Sequence, residues 1–221
     1  MKISNIIALT LSLIVIASIL VLFTDAKNHE NYKDPNIEMK TFPLSKFSVI
    51  VVGQGAIVHV DYAKSNAIEL EYFKNNLVKK QVYKLQNDTL FVHSGLRTFV
   101  KVNNLKLIQG HNPGWIGVGI FNLDSLHIDI AGGYLELRKI DDKKSKIKNL
   151  TINSSDYARV VASETEVDNL ILNATDKSTC DIWGKCKKVN AVLKTNSDVF
   201  FKHNPENLQI ERDKESSFRI Q

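Results

Sequence analysis

The second half of the chain repeats a short phrase about every twenty residues, and this period limits the folds open to it. Each copy pairs an asparagine, or once a serine, with an apolar residue and adds a second apolar residue two places on. The copies are Asn104-Leu105, Ser125-Leu126, Asn149-Leu150, Asn169-Leu170, Asn190-Ala191 and Asn207-Leu208, with Leu107, Ile128, Ile152, Leu172, Leu193 and Ile210 as the second apolar residues. A pair of helices does not fit in so short a period, whereas one coil of a β-solenoid does.

Stacking of such coils places equivalent residues above one another, because strands in adjacent coils lie about 4.8 Å apart and share hydrogen bonds. We expect the apolar residues to form files inside and the asparagines to form a ladder at a corner, each amide bonding to the next. The sequence therefore predicts an all-β fold, a single-stranded parallel β-helix over residues 42–221. The charges of Glu211–Ser217 suit the last coil, whose edges must be blunted.

The first part of this domain contains three alternating apolar segments, Phe47–Val52, Ala56–Tyr62 and Ala67–Phe73. They are separated by short corners that lack the two-residue Asn-Gly type of hairpin turn. We therefore expect these segments to form the three sides of one triangular coil.

The N-terminus carries an uncharged apolar segment, Ile6–Phe23, long enough to span a bilayer as a helix. Residues 1–26 are predicted to be a signal anchor, or a signal peptide cleaved near Ala26, and residues 27–41 a polar tether. No cysteine lies near this segment, which excludes a lipoprotein cleavage site. Both alternatives place the domain outside the cytoplasm: in the periplasm or at the cell surface when anchored, and secreted when cleaved.

The two cysteines, Cys180 and Cys186, are the only ones in the chain. An oxidising compartment would permit a disulfide across one corner, and the alternative is two separate thiols. Two cysteines at this spacing without paired histidines predict no metal site.

The net charge is +5, and lysines concentrate at residues 138–148, including Lys143, Lys144 and Lys146. These lysines are either weak candidates for binding an anionic partner or a solvated loop. No nucleic-acid motif accompanies them, so no nucleic-acid partner is expected.

Three aspartates, Asp156, Asp176 and Asp198, end the polar turns Asn153-Ser154-Ser155-Asp156, Asn173-Ala174-Thr175-Asp176 and Asn196-Ser197-Asp198. Stacked carboxylates could bind calcium or serve a site that cleaves glycans. The alternative is that each aspartate caps its own turn.

No residue set predicts catalysis or a cofactor, since neither G-x-S-x-G nor a P-loop occurs. The histidines have no metal-binding spacing, and His59, His93 and His127 are expected to point outward into solvent. Five aromatic residues could form a platform for sugar stacking or could pack in the core: Tyr72, Phe73, Trp115, Phe121 and Trp183.

Several segments resemble the bacterial auto-transporter adhesin head GIN domain, a domain of unknown function. They are FSVIVVGQGAIVHVDY, NNLVKKQVYKLQNDTLFVHS and the coils that run into N-S-S-D and N-A-T-D, and the resemblance covers Thr41 to Ile210. It implies a right-handed parallel β-helix linked to cell-surface adhesion, with no catalytic residues to carry over. The chain departs from the pattern in its turns, where Ser154-Ser155, Ala174-Thr175 and Asn196-Ser197 replace the common Ser-Gly.

These observations predict a non-enzymatic, exported cell-envelope protein that contacts an envelope glycan or a surface protein and reaches the membrane through Ile6–Phe23. One alternative is a polysaccharide lyase or hydrolase of the β-helix type that acts on acidic glycans. Another is an architectural or signalling spacer in the envelope.

Overall fold

The computed structural model describes residues 15–19, 36–73, 82–93, 97–138 and 143–221. The chain divides into two compact units, Met1–Glu38 with Phe73–Asn75, and Met39–Tyr72 with Asn76–Gln221. In the first unit, residues 15–19 are helical. No helix in the described ranges has the length and hydropathy needed to cross a membrane. Most of the predicted anchor and tether lies outside the described residues.

The second unit is built from strands that form two large sheets, so the all-β prediction is confirmed. In spatial order, the ten-stranded sheet contains β1 (Ile37–Pro43), β4 (Ala67–Phe73), β7 (Arg97–Val102), β3 (Ile57–Tyr62), β9 (Trp115–Val118), β11 (Tyr134–Leu137), β13 (Arg159–Ala162), β15 (Thr179–Ile182), β17 (Asp198–Phe201) and β19 (Ser217–Ile220). The nine-stranded sheet contains β18 (Asn207–Arg212), β16 (Cys186–Leu193), β14 (Glu166–Ala174), β12 (Lys146–Ser155), β10 (Asn122–Ala131), β8 (Leu107–His111), β2 (Val49–Val52), β6 (Thr89–Val92) and β5 (Tyr83–Gln86). Strand β1 begins before residue 42, inside the segment predicted as a tether.

From β8 onward, neighbouring strands within each sheet pair in parallel, and equivalent side chains stack on one another. One file of the nine-stranded sheet runs Leu126, Leu150, Leu170, Val189 and Leu208. The members in the middle of the file are almost completely buried. The predicted stacking of apolar residues is therefore confirmed from strand to strand over this part of the sheet.

The core lies between the two sheets, because each strand turns alternate side chains inward. Ile152 and Leu172 from the nine-stranded sheet and Val160 and Cys180 from the ten-stranded sheet are fully buried in one apolar cluster. Burial of apolar surface contributes about 25 cal/mol per Å². The apolar side chains that the two sheets bury between them are therefore the main source of stability in this unit.

Two copies of the repeated phrase are out of register in the structure. Leu107 pairs with the outward-facing His127, and the interior partner of Ile128 is Ile108. At the other copy, Asn190 pairs with Ile171. The phrase misplaces these residues because coils differ in length, while hydrogen bonding between backbones, not residue type, sets the register.

The N-terminal end departs from simple coil order, and the predicted triangular coil is wrong. Strand β4 belongs to the same sheet as β3 and pairs antiparallel with β7, while β5 and β6 form an antiparallel pair joined at Asn87, which has φ +53°. In the nine-stranded sheet β2 lies between β6 and β8, and in the ten-stranded sheet β3 lies between β7 and β9. These pairings join strands distant in sequence, so the local corners do not predict them.

Arg212 ends β18, the edge strand of the nine-stranded sheet, and is exposed. Arg212 pairs with the buried Leu193, and its guanidinium donates to the carbonyl of Ser216 at 3.1 Å. Asp213 holds the following turn by accepting a hydrogen bond from the Ser216 amide at 2.8 Å. A charged residue on an edge strand disfavours pairing with another chain, which is the role that the sequence predicts for Glu211–Ser217.

Candidate functional site

The three aspartates singled out in the sequence do not form one file. Asp156 and Asp176 occupy equivalent turn positions, both with φ near +50°, and the amide of Tyr157 donates to the carbonyl of Asp176. In the next coil Thr195 takes this position, since the amide of Lys177 donates to its carbonyl. Asp198 instead begins β17, pairs with Thr179 and forms an ion pair with Arg219 at 2.6 Å.

This placement removes the predicted row of three carboxylates. Asp156 and Asp176 are exposed at turn tips, and Asp176 accepts a hydrogen bond from the hydroxyl of its neighbour Thr175 at 2.9 Å. No group of three or more His, Cys, Asp or Glu side chains in the described ranges could hold a metal ion. Neither a calcium site nor a glycan-cleaving site is assembled from these aspartates.

The cysteines are two separate buried thiols. Cys180 lies in β15 and Cys186 in β16, which belong to different sheets. Burial raises the pKa of each thiol to about 12. The Cys180 sulfur also lies 3.2 Å from the hydroxyl of Ser154, so it is packed as a core side chain.

Two lysines of the basic segment pair with glutamates that follow them in the chain. Lys144 lies 3.9 Å from Glu164, and Lys146 lies 3.6 Å from Glu166. Lys143 is exposed. Among the described residues of the segment, Lys144 and Lys146 are therefore compensated in charge.

A groove of about 890 Å³ runs across the starts of β10, β12, β14 and β16, and we call it the banded groove. Its floor is the apolar file Leu123, Ile147, Val167 and Cys186, which pair in register. Charged residues lie one position before and one position after Ile147, Val167 and Cys186, whereas Leu123 is followed by Asp124 and preceded by the uncharged Asn122. The lysine pairs are Lys146 with Lys148 and Lys185 with Lys187, and the acidic pair between them is Glu166 with Asp168.

We call the charged residues that one strand contributes to the groove a band. Ion pairs link neighbouring bands. Lys148 bonds Asp124 at 2.5 Å, and Lys187 bonds Asp168 at 2.7 Å. The hydrogen bond from Lys148 lowers the pKa of Asp124, and the one to Asp168 raises the pKa of Lys187. The charge alternates in sign from coil to coil, so each band stabilises the next. The sequence indicated the lysines but not the alternation in charge, because the alternation depends on the register between neighbouring strands.

A second cluster lies on the outer face of the ten-stranded sheet, and we call it the arginine–aromatic cluster. His59 stacks on Phe99 with ring centroids 4.5 Å apart and meets the edge of Trp115 at 4.6 Å. Arg97 donates from Nε to Nε2 of His59 at 3.1 Å, and Arg138 lies 5.4 Å from the centre of the Trp115 ring. The side chains come from β3, β7 and β9 and from the residue that follows β11.

The environment of His59 contradicts the expectation that its ring is solvated. His59 is only 6% exposed, because Phe99 and Trp115 cover it. Burial, followed by the charges of Arg97 and Arg138, lowers the pKa of His59 to about 4. The imidazole is therefore neutral at pH 7, which leaves Nε2 as an acceptor for Arg97.

The five aromatic residues considered for a platform are not gathered in one place. Phe121 is buried, whereas Trp183 and Phe73 are 44% and 49% exposed. Trp183 lies beneath Lys202, far along the sheet from Trp115. Of the five, Trp115 alone belongs to the arginine–aromatic cluster in the described structure.

The outer face of the nine-stranded sheet carries the predicted amide ladder in part. Asn169 donates to the side-chain oxygen of Asn149 at 3.0 Å. A second ladder runs from Asn173 to Asn153 at 2.8 Å and from Asn153 to Asp129 at 2.6 Å. Although partial burial raises it, hydrogen bonds from Asn153 and His127 bring the pKa of Asp129 below its usual value. These contacts account for the asparagines as coil-to-coil stabilisers.

No family model matches the sequence. A search of curated proteins likewise gives no match. Solved structures are nevertheless similar in fold. One is a proposed lipid-binding protein from Parabacteroides distasonis ATCC 8503, with a TM-score of 0.63, 14% identity and coverage of 85% of this chain and 97% of that chain.

Two proposed adhesins are similar to a comparable extent. The one from Bacteroides fragilis NCTC 9343 has a TM-score of 0.61 and 13% identity, and the one from Parabacteroides merdae ATCC 43184 has a TM-score of 0.59 and 14% identity. Each alignment covers 85% of this chain and 97% of the other chain. At such low identity, these likenesses establish a shared fold and nothing finer.

Proposed function

We propose that the chain is a non-enzymatic, exported surface-binding protein, built as a right-handed parallel β-helix of the auto-transporter adhesin head GIN domain type. The parallel register of successive coils supports the β-helix. The fold likeness to two proposed adhesins supports the surface-binding role. In this proposal Ile6–Phe23 anchors or exports the chain, residues 27–41 connect it to the domain, and the domain lies outside the cytoplasm.

The observation that carries the proposal is the arginine–aromatic cluster on the outer face of the ten-stranded sheet. Arg97 is exposed and has no acidic partner among the described residues, while its Nε is already held by His59. A guanidinium fixed in this way can bind a carboxylate through its two terminal amino groups. The proposed ligand is therefore an envelope glycan or surface protein that presents carboxylates to this face.

The lyase or hydrolase alternative loses its main support, because Asp198 lies in a different strand from the turns that hold Asp156 and Asp176. The spacer alternative predicts that no surface of the domain binds a ligand. An interior lipid site is disfavoured as well, since the space between the sheets is filled by fully buried side chains such as Ile152 and Val160.

Binding of the full chain to arrays of glycans and purified envelope proteins would test the proposal. We expect signals on acidic ligands that fall at least tenfold in Arg97→Gln, because a charge-assisted hydrogen-bonding group is lost. Arg219→Gln is the matched control, since Arg219 lies on the same sheet but is paired with Asp198. Silence on both arrays, or equal losses in the two variants, would contradict the proposal.

A further inference from the structure

The banded groove offers a second site, on the other sheet, whose charges suit a ligand of mixed sign. Four lysines and four carboxylates line it, with Glu206 and Asp124 completing the acidic set, so these charges sum to zero. Along the stacking direction the bands read negative, positive, negative and positive. Adjacent bands are about 4.8 Å apart, as the strand spacing dictates.

The ion pairs inside the groove are exposed and therefore easily exchanged. The side chains of Lys148 and Asp124 are 67% and 84% exposed, and those of Lys187 and Asp168 are 62% and 46% exposed. Exposed ion pairs contribute little to stability. A ligand that offers the same charges in the same order can replace them at small cost.

The same pattern discriminates against ligands of a single sign. A polyanion that contacts both lysine bands must also pass over Glu166 and Asp168, and a polycation meets the lysines. Like charges brought together at an interface are strongly unfavourable. The favoured ligand carries one anionic and one cationic group separated by roughly one coil spacing.

We propose that the banded groove binds a phosphate–ammonium zwitterion, the chemistry of the phosphoethanolamine group. The phosphate contacts Lys185 and Lys187, and the ammonium contacts Glu166 and Asp168. The end of the groove at Lys185 is chosen because this lysine has no ion-pair partner in the described part of the chain, whereas Lys146 and Lys148 are both paired. His203 and Asn204 line the groove as well and supply further polar groups.

The site goes beyond the proposed function and does not rest on it, because the arginine–aromatic cluster lies on the other sheet. The groove volume falls within the range of small-ligand sites, roughly 300–1,000 Å³. The apolar floor at Val167 and Cys186, which lies between the charged residues of β14 and β16, provides contact for the carbon atoms between the two charged groups.

The test is the ³¹P line width of O-phosphoethanolamine added to the full chain held in dodecyl maltoside micelles, which contain neither phosphate nor ammonium groups. We expect broadening that saturates, with inorganic phosphate at least tenfold weaker. Asp168→Asn should weaken phosphoethanolamine binding about tenfold, because the ammonium loses a charged partner. The same change should not weaken phosphate binding, because it frees Lys187 from its ion pair with Asp168. Lys187→Gln should weaken the binding of both.

Asp198→Asn is the matched control, because it also removes an ion-paired carboxylate, but on the ten-stranded sheet. Circular dichroism melts of all three variants establish that each is folded. Absence of broadening, broadening that survives both groove variants, or equal binding of inorganic phosphate would overturn the proposal.

A competition arm separates the two sources of this group. Nanodiscs that contain phosphatidylethanolamine should sharpen the line of the free zwitterion if the site takes a lipid headgroup, whereas phosphatidylglycerol nanodiscs should not. A line that stays broad with both lipids assigns the site to the soluble zwitterion. Array binding lost in Arg97→Gln but retained in Asp168→Asn would show that the two sites act separately.

Discussion

The indole ring of Trp115 occupies the space above Gly117 on the outer face of the ten-stranded sheet. A Cβ at Gly117 would lie 2.0 Å from the nearest ring atom, so no side chain fits there while the ring stays in place. The ring also forms one wall of the pocket around His59. The absence of a side chain at Gly117 therefore lets the Trp115 ring take its place in the arginine–aromatic cluster.

Gly117→Ala should displace Trp115 and loosen the cluster. We expect a loss of about 1–3 kcal/mol in unfolding free energy, the usual cost of overpacking, and a red shift in tryptophan fluorescence. Gly53→Ala is the control, because an added Cβ there meets its nearest neighbour at an ordinary 3.4 Å. An unchanged fluorescence maximum in Gly117→Ala would show that the ring does not depend on this glycine.

Removal of an interior file residue should destabilise the stacked coils. Leu172→Ala should cost about 2–5 kcal/mol, because Leu172 is fully buried and its loss leaves a cavity. The neighbouring Ile171→Ala should change stability by about 0.5 kcal/mol or less, since Ile171 is 47% exposed on the same strand. Urea unfolding measures both, and equal losses would contradict the assigned register.

The turn that contains Thr195 should become more stable when this residue is replaced by glycine. Thr195 has φ +57°, a left-handed conformation that is unfavourable for a β-branched residue by about 1–2 kcal/mol. Glycine also carries an entropic cost on folding. We therefore expect the free energy of unfolding to rise by about 0.5–1 kcal/mol, as measured by thermal or urea unfolding. The control Thr179→Gly, within strand β15, should lose stability instead.

The neutral state of His59 should make stability depend on pH. Its pKa is about 4 in the folded chain and 6.5 as the ordinary value, so the unfolded chain takes up a proton first as the pH falls. The stabilising contribution is thus full above pH 6.5, declines between pH 6.5 and 4, and is lost below. Groups facing the ring, Arg97 and Arg138, oppose its protonation throughout.

His59→Gln should remove the part of the pH dependence that falls in this window. Urea unfolding at pH 7.5, 5.5 and 4 measures it, and the exposed His93→Gln serves as the control. The prediction fails if both variants retain the same slope as the parent chain between pH 6.5 and 4.

Some features of the candidate sites could be predicted from the sequence, and others could not. Alternation within β12 and β14 identified Leu150, Ile152, Leu170 and Leu172 as interior residues, because side chains in a strand alternate between faces. The prediction that Asp198 stacks with Asp156 and Asp176 was wrong, because it aligned the turns by residue type. Backbone pairing instead places Asp198 beside Thr179. The burial of His59 was missed because its neighbours, Phe99 and Trp115, come from two other strands.

The sequence by itself determined that the chain forms short strands with apolar files at a period of about twenty residues, since alternation and polar turns are local properties. Only the tertiary structure decided which strands are neighbours: β2 between β6 and β8, and β3 between β7 and β9. The physical reason is that pairing between distant segments depends on the register of backbone hydrogen bonds. That register brings the bands of the groove together in alternating sign and places Arg97 beside His59.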